Sequence, residues 1–259
     1  MLKFAANLTM LFQEHAFLDR FRAASNEGFS FVEYLFPYEY SSSALKLALD
    51  DANLKQVLFN LPPGNWSNGE RGIACLPDRQ DEFRTGVEQA MVFAEVLQVP
   101  QINCLAGLKP AHLSEAEAMD TFLKNLDYAA NQLASINVKL VFEAINSRVD
   151  MPGFFVDTID KSREVLATLD HPNIGFQFDL YHMQIMHGDL LTNLDLMWDD
   201  ISHIQFADTH GRHEPGTGDI NFKDVFQRLE ERGYSGFVSA EYLPKEDTVS
   251  SLGWLRSFN

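Results

Sequence analysis

Short apolar runs alternate along this chain with longer segments whose apolar positions return every three or four residues. Runs of the first kind read as strands and segments of the second as amphipathic helices. Residues 3–8, 29–36, 54–60, 101–106 and 138–145 predict five strands, and three further runs end at Asp179, Gln205 and Glu241. Between them the helical pattern covers residues 14–26, 41–51, about 78–97, 114–135, 157–169, 190–199 and 222–232. Gly28 stops the first helix, and Ser114-Glu-Ala-Glu117 supplies a capping pattern for the helix it opens. The alternation is that of repeated βα units. No linker, low-complexity tract or shift of composition interrupts it, so one domain over residues 1–259 is expected. A (β/α)8 TIM barrel needs about 250 residues. A doubly wound open sheet is the competing topology, but it would not gather the ends of strands five to eight around one point.

Those strand ends carry the chemistry. Gly175-Phe-Gln-Phe-Asp-Leu-Tyr-His182 begins as a buried strand and finishes on a carboxylate, with an imidazole one helical turn later. Glu143 ends Lys139-Leu-Val-Phe-Glu143, Gln205 ends Ile201-Ser-His-Ile-Gln205, and Glu241 ends Phe237-Val-Ser-Ala-Glu241. An acid at the end of an apolar strand is costly unless its charge is used. In a parallel barrel these ends share the face on which active sites are built. Glu143, Asp179, Gln205 and Glu241 together make a candidate metal site. Its oxygen-only donor set points to a hard divalent cation, Mg²⁺ or Mn²⁺, more than to Zn²⁺. Taken singly, each of the four could instead cap a helix or solvate a loop.

Composition narrows the partners. The formal charge is −17, with 37 acidic against 20 basic side chains, and nucleic-acid binding draws most of its affinity from Lys and Arg. A small anionic substrate would need a local cation to bind. Arg212, in the glycine- and charge-rich loop Asp208–Asp219, can supply a planar fork for a carboxylate; the plainer reading is an ion pair with Glu214 or Asp219. Arg71 and Lys109 could anchor the carboxylate in its place. His182 reads equally as a substrate ligand, a proton carrier or a loop histidine satisfied by backbone. The long loop over residues 61–77 offers Trp66, Glu70 and Arg71 as a lid, or as a contact in a homo-oligomer. Asn7 and Glu33 end the first two strands and can complete the pocket floor. No apolar run approaches the ~18 residues of a membrane span. Asn7, Thr9 and Gln13-Glu-His15 interrupt the N-terminal stretch before a signal-peptide core develops. Two cysteines, Cys75 and Cys104, form neither a metal spacing nor a disulfide framework, so a reducing cytoplasm is the expected compartment.

Six stretches carry a family likeness: Phe4-Ala-Ala-Asn-Leu-Thr-Met-Leu-Phe12, Glu33-Tyr-Leu-Phe-Pro-Tyr38, Asn60-Leu-Pro, Gly69-Glu-Arg-Gly-Ile-Ala-Cys-Leu-Pro77, Asp179-Leu-Tyr-His-Met-Gln184 and His213-Glu-Pro-Gly-Thr-Gly-Asp-Ile-Asn221. Through them the chain resembles, over essentially its whole length, the bacterial hydroxypyruvate isomerases of the xylose-isomerase-like barrel superfamily. The resemblance implies catalytic glutamates at Glu143 and Glu241 and further metal positions at Asp179 and Gln205. It implies interconversion of hydroxypyruvate and 2-hydroxy-3-oxopropanoate through a cis-enediolate. Where the wider superfamily often has histidine at the seventh-strand ligand, this chain has Gln205. A sister group resembling it in the same motifs isomerises 2-oxo-tetronates. A sugar C3-epimerase and a non-catalytic barrel that binds sugar acids compete with these two activities, while the charge disfavours the superfamily's DNA-repair branch.

Overall fold

A computed structural model describes residues 1–258. Eight parallel strands close into a barrel in sequence order, β8 pairing back onto β1. They are β1 (Lys3–Asn7), β2 (Phe31–Glu33), β3 (Lys55–Asn60), β4 (Gln101–Cys104), β5 (Lys139–Glu143), β6 (Ile174–Asp179), β7 (Ile201–Phe206) and β8 (Phe237–Ala240). The helices are α1 (Asp19–Asn26), α2 (Ser42–Asp51), α3 (Gln80–Leu97), α4 (Glu115–Ala134), α5 (Ile159–Leu169), α6 (Leu180–His187), α7 (Leu190–Met197), α8 (Phe222–Glu231), α9 (Thr248–Ser251) and α10 (Leu255–Phe258). This is the (β/α)8 architecture expected from the alternating pattern.

Strands of a barrel are covered on both faces, inside by one another and outside by helices. β6 is accordingly buried at every position. The outward residues Phe142, Phe176, Phe178 and Phe206 join the main core beneath the helices. Phe4, Phe206, Phe226 and Trp254 meet edge to face there, with Phe206 and Trp254 centroids 5.0 Å apart. A second, smaller apolar cluster of Ala5, Val57, Leu58 and Val141, with Phe31 and Phe237 packed against it, is separate from that shell. Two residues farther along β1, β2, β5 and β8, the same face carries Asn7, Glu33, Glu143 and Ser239. The barrel interior therefore changes from apolar to polar toward the strand C-termini. Register holds the polar residues level: Asn7 pairs with Glu33, Glu143 with Gln177 and Asp179 with Gln205.

The Ser114–Glu117 capping box forms as expected, the Ser114 hydroxyl accepting the Glu117 amide at 3.2 Å. Other elements differ from the expectation. The first helix starts at Asp19 and not near residue 14, because the preceding segment ties the two ends of the chain together. The Phe12 amide donates to Thr248 Oγ1 at 2.7 Å, and the Glu14 carboxylate accepts the Thr248 amide at 2.6 Å. β2 is only three residues long. Helix α6 follows β6 without a loop. It is buried on most sides, so no amphipathic period announced it. Among the described residues no helix is long and apolar enough to cross a membrane.

Candidate active site

Glu143 ends β5, Asp179 ends β6, Gln205 is the penultimate residue of β7, and Glu241 follows β8 directly. All four side chains are buried. Asp179 doubles as the N-cap of α6, its Oδ1 accepting the Tyr181 amide at 2.8 Å, which leaves Oδ2 for the site. Arg212 enters from the loop after β7. Its Nη2 lies 3.2 Å from Glu241 Oε2 and 3.8 Å from Asp179 Oδ2, and its guanidinium sits 5.1 Å from the Tyr181 ring centroid.

That loop is folded around one side chain. Buried Asp208 accepts four backbone amides through its carboxylate: Thr209 at 2.9 Å, Gly216 at 2.9 Å, Gly218 at 2.9 Å and Ile220 at 3.0 Å. Gly218 is required, since a Cβ there would lie 1.3 Å from the Thr209 carbonyl oxygen. Arg212 itself has φ +58°, a conformation that costs a residue with a Cβ, and its carbonyl is pinned by the Leu243 amide at 2.8 Å.

The carboxylates outnumber the cations. Burial, followed by the charge of Asp179, pushes Glu143 up to about 7. Burial likewise raises Asp179 to about 6, against the pull of Arg212. Burial drives Glu241 well above the ordinary carboxylate range, with Asp179 and Glu143 adding to the effect, although Arg212 opposes it. Burial works against the Arg212 charge too, but Glu241 and Asp179 hold its pKa above the usual value. One guanidinium facing three buried acids leaves an excess of negative charge that a cation would relieve. Single ligand atoms of Glu143, Asp179 and His182 lie within 4.8 Å of one another, an arrangement compatible with a divalent cation.

A polar layer underlies the acids. Gln205 donates from Nε2 to Glu33 Oε1 at 2.7 Å and accepts the Gln177 amide at 2.6 Å, so its oxygen keeps one lone pair for the site. Asn7 donates to the same Glu33 oxygen at 2.9 Å, and His203 meets Glu33 Oε2 at 2.7 Å. Burial works against the Glu33 charge, but His203 and Gln205 outweigh it and hold its pKa below the ordinary value. Asn103 donates to Glu143 Oε1 at 2.8 Å and to Asn60 at 3.1 Å. Asn103 Oδ1, Gln177 Oε1, Arg212 Nε and Ser239 Oγ are buried without partners among the described residues.

His182 is also brought into the cluster, with Nε2 at 3.5 Å from Asp179 Oδ2 and Nδ1 at 2.7 Å from the Asn146 amide nitrogen. Burial, then Arg212, pushes its pKa well below the ordinary value. The residues of the long loop are not brought in. Glu70 spends its carboxylate on Arg79 at 2.8 Å and on the Asn65 amide. Arg71 stacks 4.2 Å over Trp66 and donates to the Trp66 and Glu70 carbonyls. Trp66 in turn packs on Phe36 at 5.0 Å. Lys109 donates to the Leu113 carbonyl at 3.0 Å. Each of these groups is spent on contacts within or beside its own loop and makes no hydrogen bond or ion pair with the acids. Sequence reasoning missed Asn103, Asn146, Gln177, His203 and Asp208. The period of two had a signal for Gln177 and His203, which stand two residues before Asp179 and Gln205 on the same strand face.

Comparison with known proteins agrees with the barrel architecture. The family model described as xylose isomerase-like TIM barrel matches residues 21–258. The 2-oxo-tetronate isomerase of Cupriavidus necator is 43% identical over 256 residues, covering 99% of this chain and 98% of that one. The hydroxypyruvate isomerase of Escherichia coli is 43% identical over 255 residues, 98% of each chain. A solved structure described as AP endonuclease, family 2, from Brucella melitensis superimposes with a TM-score of 0.97 at 39% identity, with 100% of both chains covered. A family model spanning nearly the whole chain, and curated isomerases aligned with it end to end, lead to one conclusion: the chain belongs to the xylose isomerase-like TIM barrel family and is an isomerase.

Proposed function

We propose that this isomerase interconverts hydroxypyruvate and 2-hydroxy-3-oxopropanoate, with Glu143 and Glu241 as the proton-transfer pair. The observation that carries the reading is two buried glutamates of raised pKa sharing the barrel mouth with Arg212. A carboxyl group pushed up to about 7, as Glu143 is, can take a proton at one step and return it at the next. One glutamate removes a proton from C3 of hydroxypyruvate, giving an enediolate, and a proton is delivered to C2. The hydroxyl proton passes from the C3 oxygen to the C2 oxygen, so the atoms balance without a redox partner. Arg212 binds the substrate carboxylate, for which its buried and unpartnered Nε–H is a ready donor. A divalent cation held by Glu143, Asp179, Glu241 and the Gln205 oxygen would hold the substrate oxygens and stabilise the enediolate charge. Oxygen donors favour Mg²⁺ or Mn²⁺ in that role.

The 43% identical 2-oxo-tetronate isomerase favours a second substrate for the same residues. A nucleic-acid substrate is disfavoured, because a −17 chain repels a phosphate backbone. The deciding experiment follows hydroxypyruvate and a 2-oxo-tetronate by NMR in D₂O, with side-by-side kcat/KM. Deuterium should enter the carbon next to the carbonyl as product forms. A ligand that stabilises the fold without exchanging deuterium would make the barrel a binding protein instead.

A further inference from the structure

We propose that Asn146 locks His182 in the tautomer that carries its proton on Nε2. The imidazole is then a hydrogen-bond donor to the site, and neither a metal ligand nor the proton-transfer base.

Asn146 lies three residues beyond Glu143 and is fully buried. Its Oδ1 accepts the backbone amides of Val149 and Asp150, each at 3.0 Å. Both partners are donors, so the orientation of the side-chain amide is determined; the flipped form would set an NH₂ against two N–H groups. Its Nδ2 then has two hydrogens and two neighbours. One is the Asp150 carboxylate, which can only accept. The other is His182 Nδ1 at 2.7 Å, which must accept as well. A neutral imidazole with a bare Nδ1 has its hydrogen on Nε2, and a doubly protonated ring would press hydrogen against hydrogen at Asn146. Nε2 is the nitrogen on the carboxylate side, 3.5 Å from Asp179 Oδ2.

Coordination requires a lone pair. His182 meets the distance condition for a metal site with Glu143 and Asp179, but its inward nitrogen carries a hydrogen and its other nitrogen is engaged. The donor set is thereby left to oxygen. In the proposed reaction, on which only this use of the donor rests, Nε2–H is placed to hold a substrate oxygen. Asn146 acts through His182 and is a positioning residue.

The test is long-range ¹H–¹⁵N correlation of the imidazoles in ¹⁵N-histidine-labelled protein, first metal-free and then with excess Mg²⁺. Eight histidines are present, and the signals lost in His182→Gln identify the ring. The expected spectrum has a bare Nδ1 and a protonated Nε2 for His182, unchanged by Mg²⁺. Asn146→Asp keeps oxygens for the Val149 and Asp150 amides but loses the donor, so the proton should appear on Nδ1. A wild-type ring protonated on Nδ1, loss of the Nε2 proton on adding Mg²⁺, or an Asn146→Asp ring unchanged from wild type would each overturn the proposal. If the variant does not fold, the two wild-type spectra decide alone. None of these signals depends on turnover, so a failed isomerase assay leaves the tautomer result standing.

Discussion

Single residues at the barrel mouth differ in what they do for the reaction, and kinetics separates them. Glu143→Gln and Glu241→Gln are nearly isosteric, and each removes one proton-transfer group from a site that uses two. Each should lower kcat by roughly 10²-fold or more while circular dichroism and Tm stay near wild type. Retention of more than about a tenth of kcat in either variant would end the two-glutamate mechanism. Arg212→Ala should act mainly on KM. Losing a charge-assisted bond of about 2–3 kcal/mol corresponds to a rise of roughly 30- to 150-fold for acid substrates. Arg212→Lys should recover part of it, because an ammonium lacks the planar fork. An unchanged KM in Arg212→Ala would mean that another group holds the carboxylate.

At the scale of elements, the loop after β7 and the clasp between the chain ends are the features to perturb. Asp208 holds four amides of the Arg212 loop on two oxygens. Asp208→Asn turns an NH₂ toward two of those donors, which costs about 1–3 kcal/mol. The variant should reproduce the KM defect of Arg212→Ala in part and become sensitive to protease within residues 209–219. Intact resistance with wild-type KM would show that the loop folds without the carboxylate. Glu14 receives the amide and hydroxyl of Thr248, at 2.6 and 3.0 Å. Its partial burial raises its pKa, but the bonds from Thr248 outweigh that and leave it lowered. A folded-state pKa below the unfolded value means stability present above the unfolded value and lost as pH falls through the folded one. Glu14→Gln should therefore lower Tm at pH 7 by no more than ~2–4 °C. The difference should shrink as pH drops below about 4. Equal Tm gaps at both pH values would assign the clasp to packing.

For the whole molecule, the relevant property is the excess of buried acid over base at the mouth. Chelation with metal content verified near zero should abolish isomerisation, and Mg²⁺ or Mn²⁺ should restore it better than Zn²⁺. Full turnover after exhaustive chelation would leave the glutamates to work alone. Much of this molecule was legible in its sequence. Short apolar runs ending on Glu143, Asp179, Gln205 and Glu241, each followed by an amphipathic segment, sufficed for barrel and mouth, because burial and helical period are local rules applied over and over. The sequence also pointed to Trp66, Glu70, Arg71 and Lys109, since charged loop residues are all alike until their partners are known. Tertiary structure spent those four on contacts within or beside their own loops and, of the three candidate cations Arg71, Lys109 and Arg212, brought Arg212 to the acids. It also decided the roles of residues with no local signature. Glu33 orients Gln205 across 172 positions of chain, and Asn146 orients His182 across 36. A residue's polarity and period are written in its neighbours along the chain, but the direction of a hydrogen bond is set by whichever partner the closed barrel places opposite it.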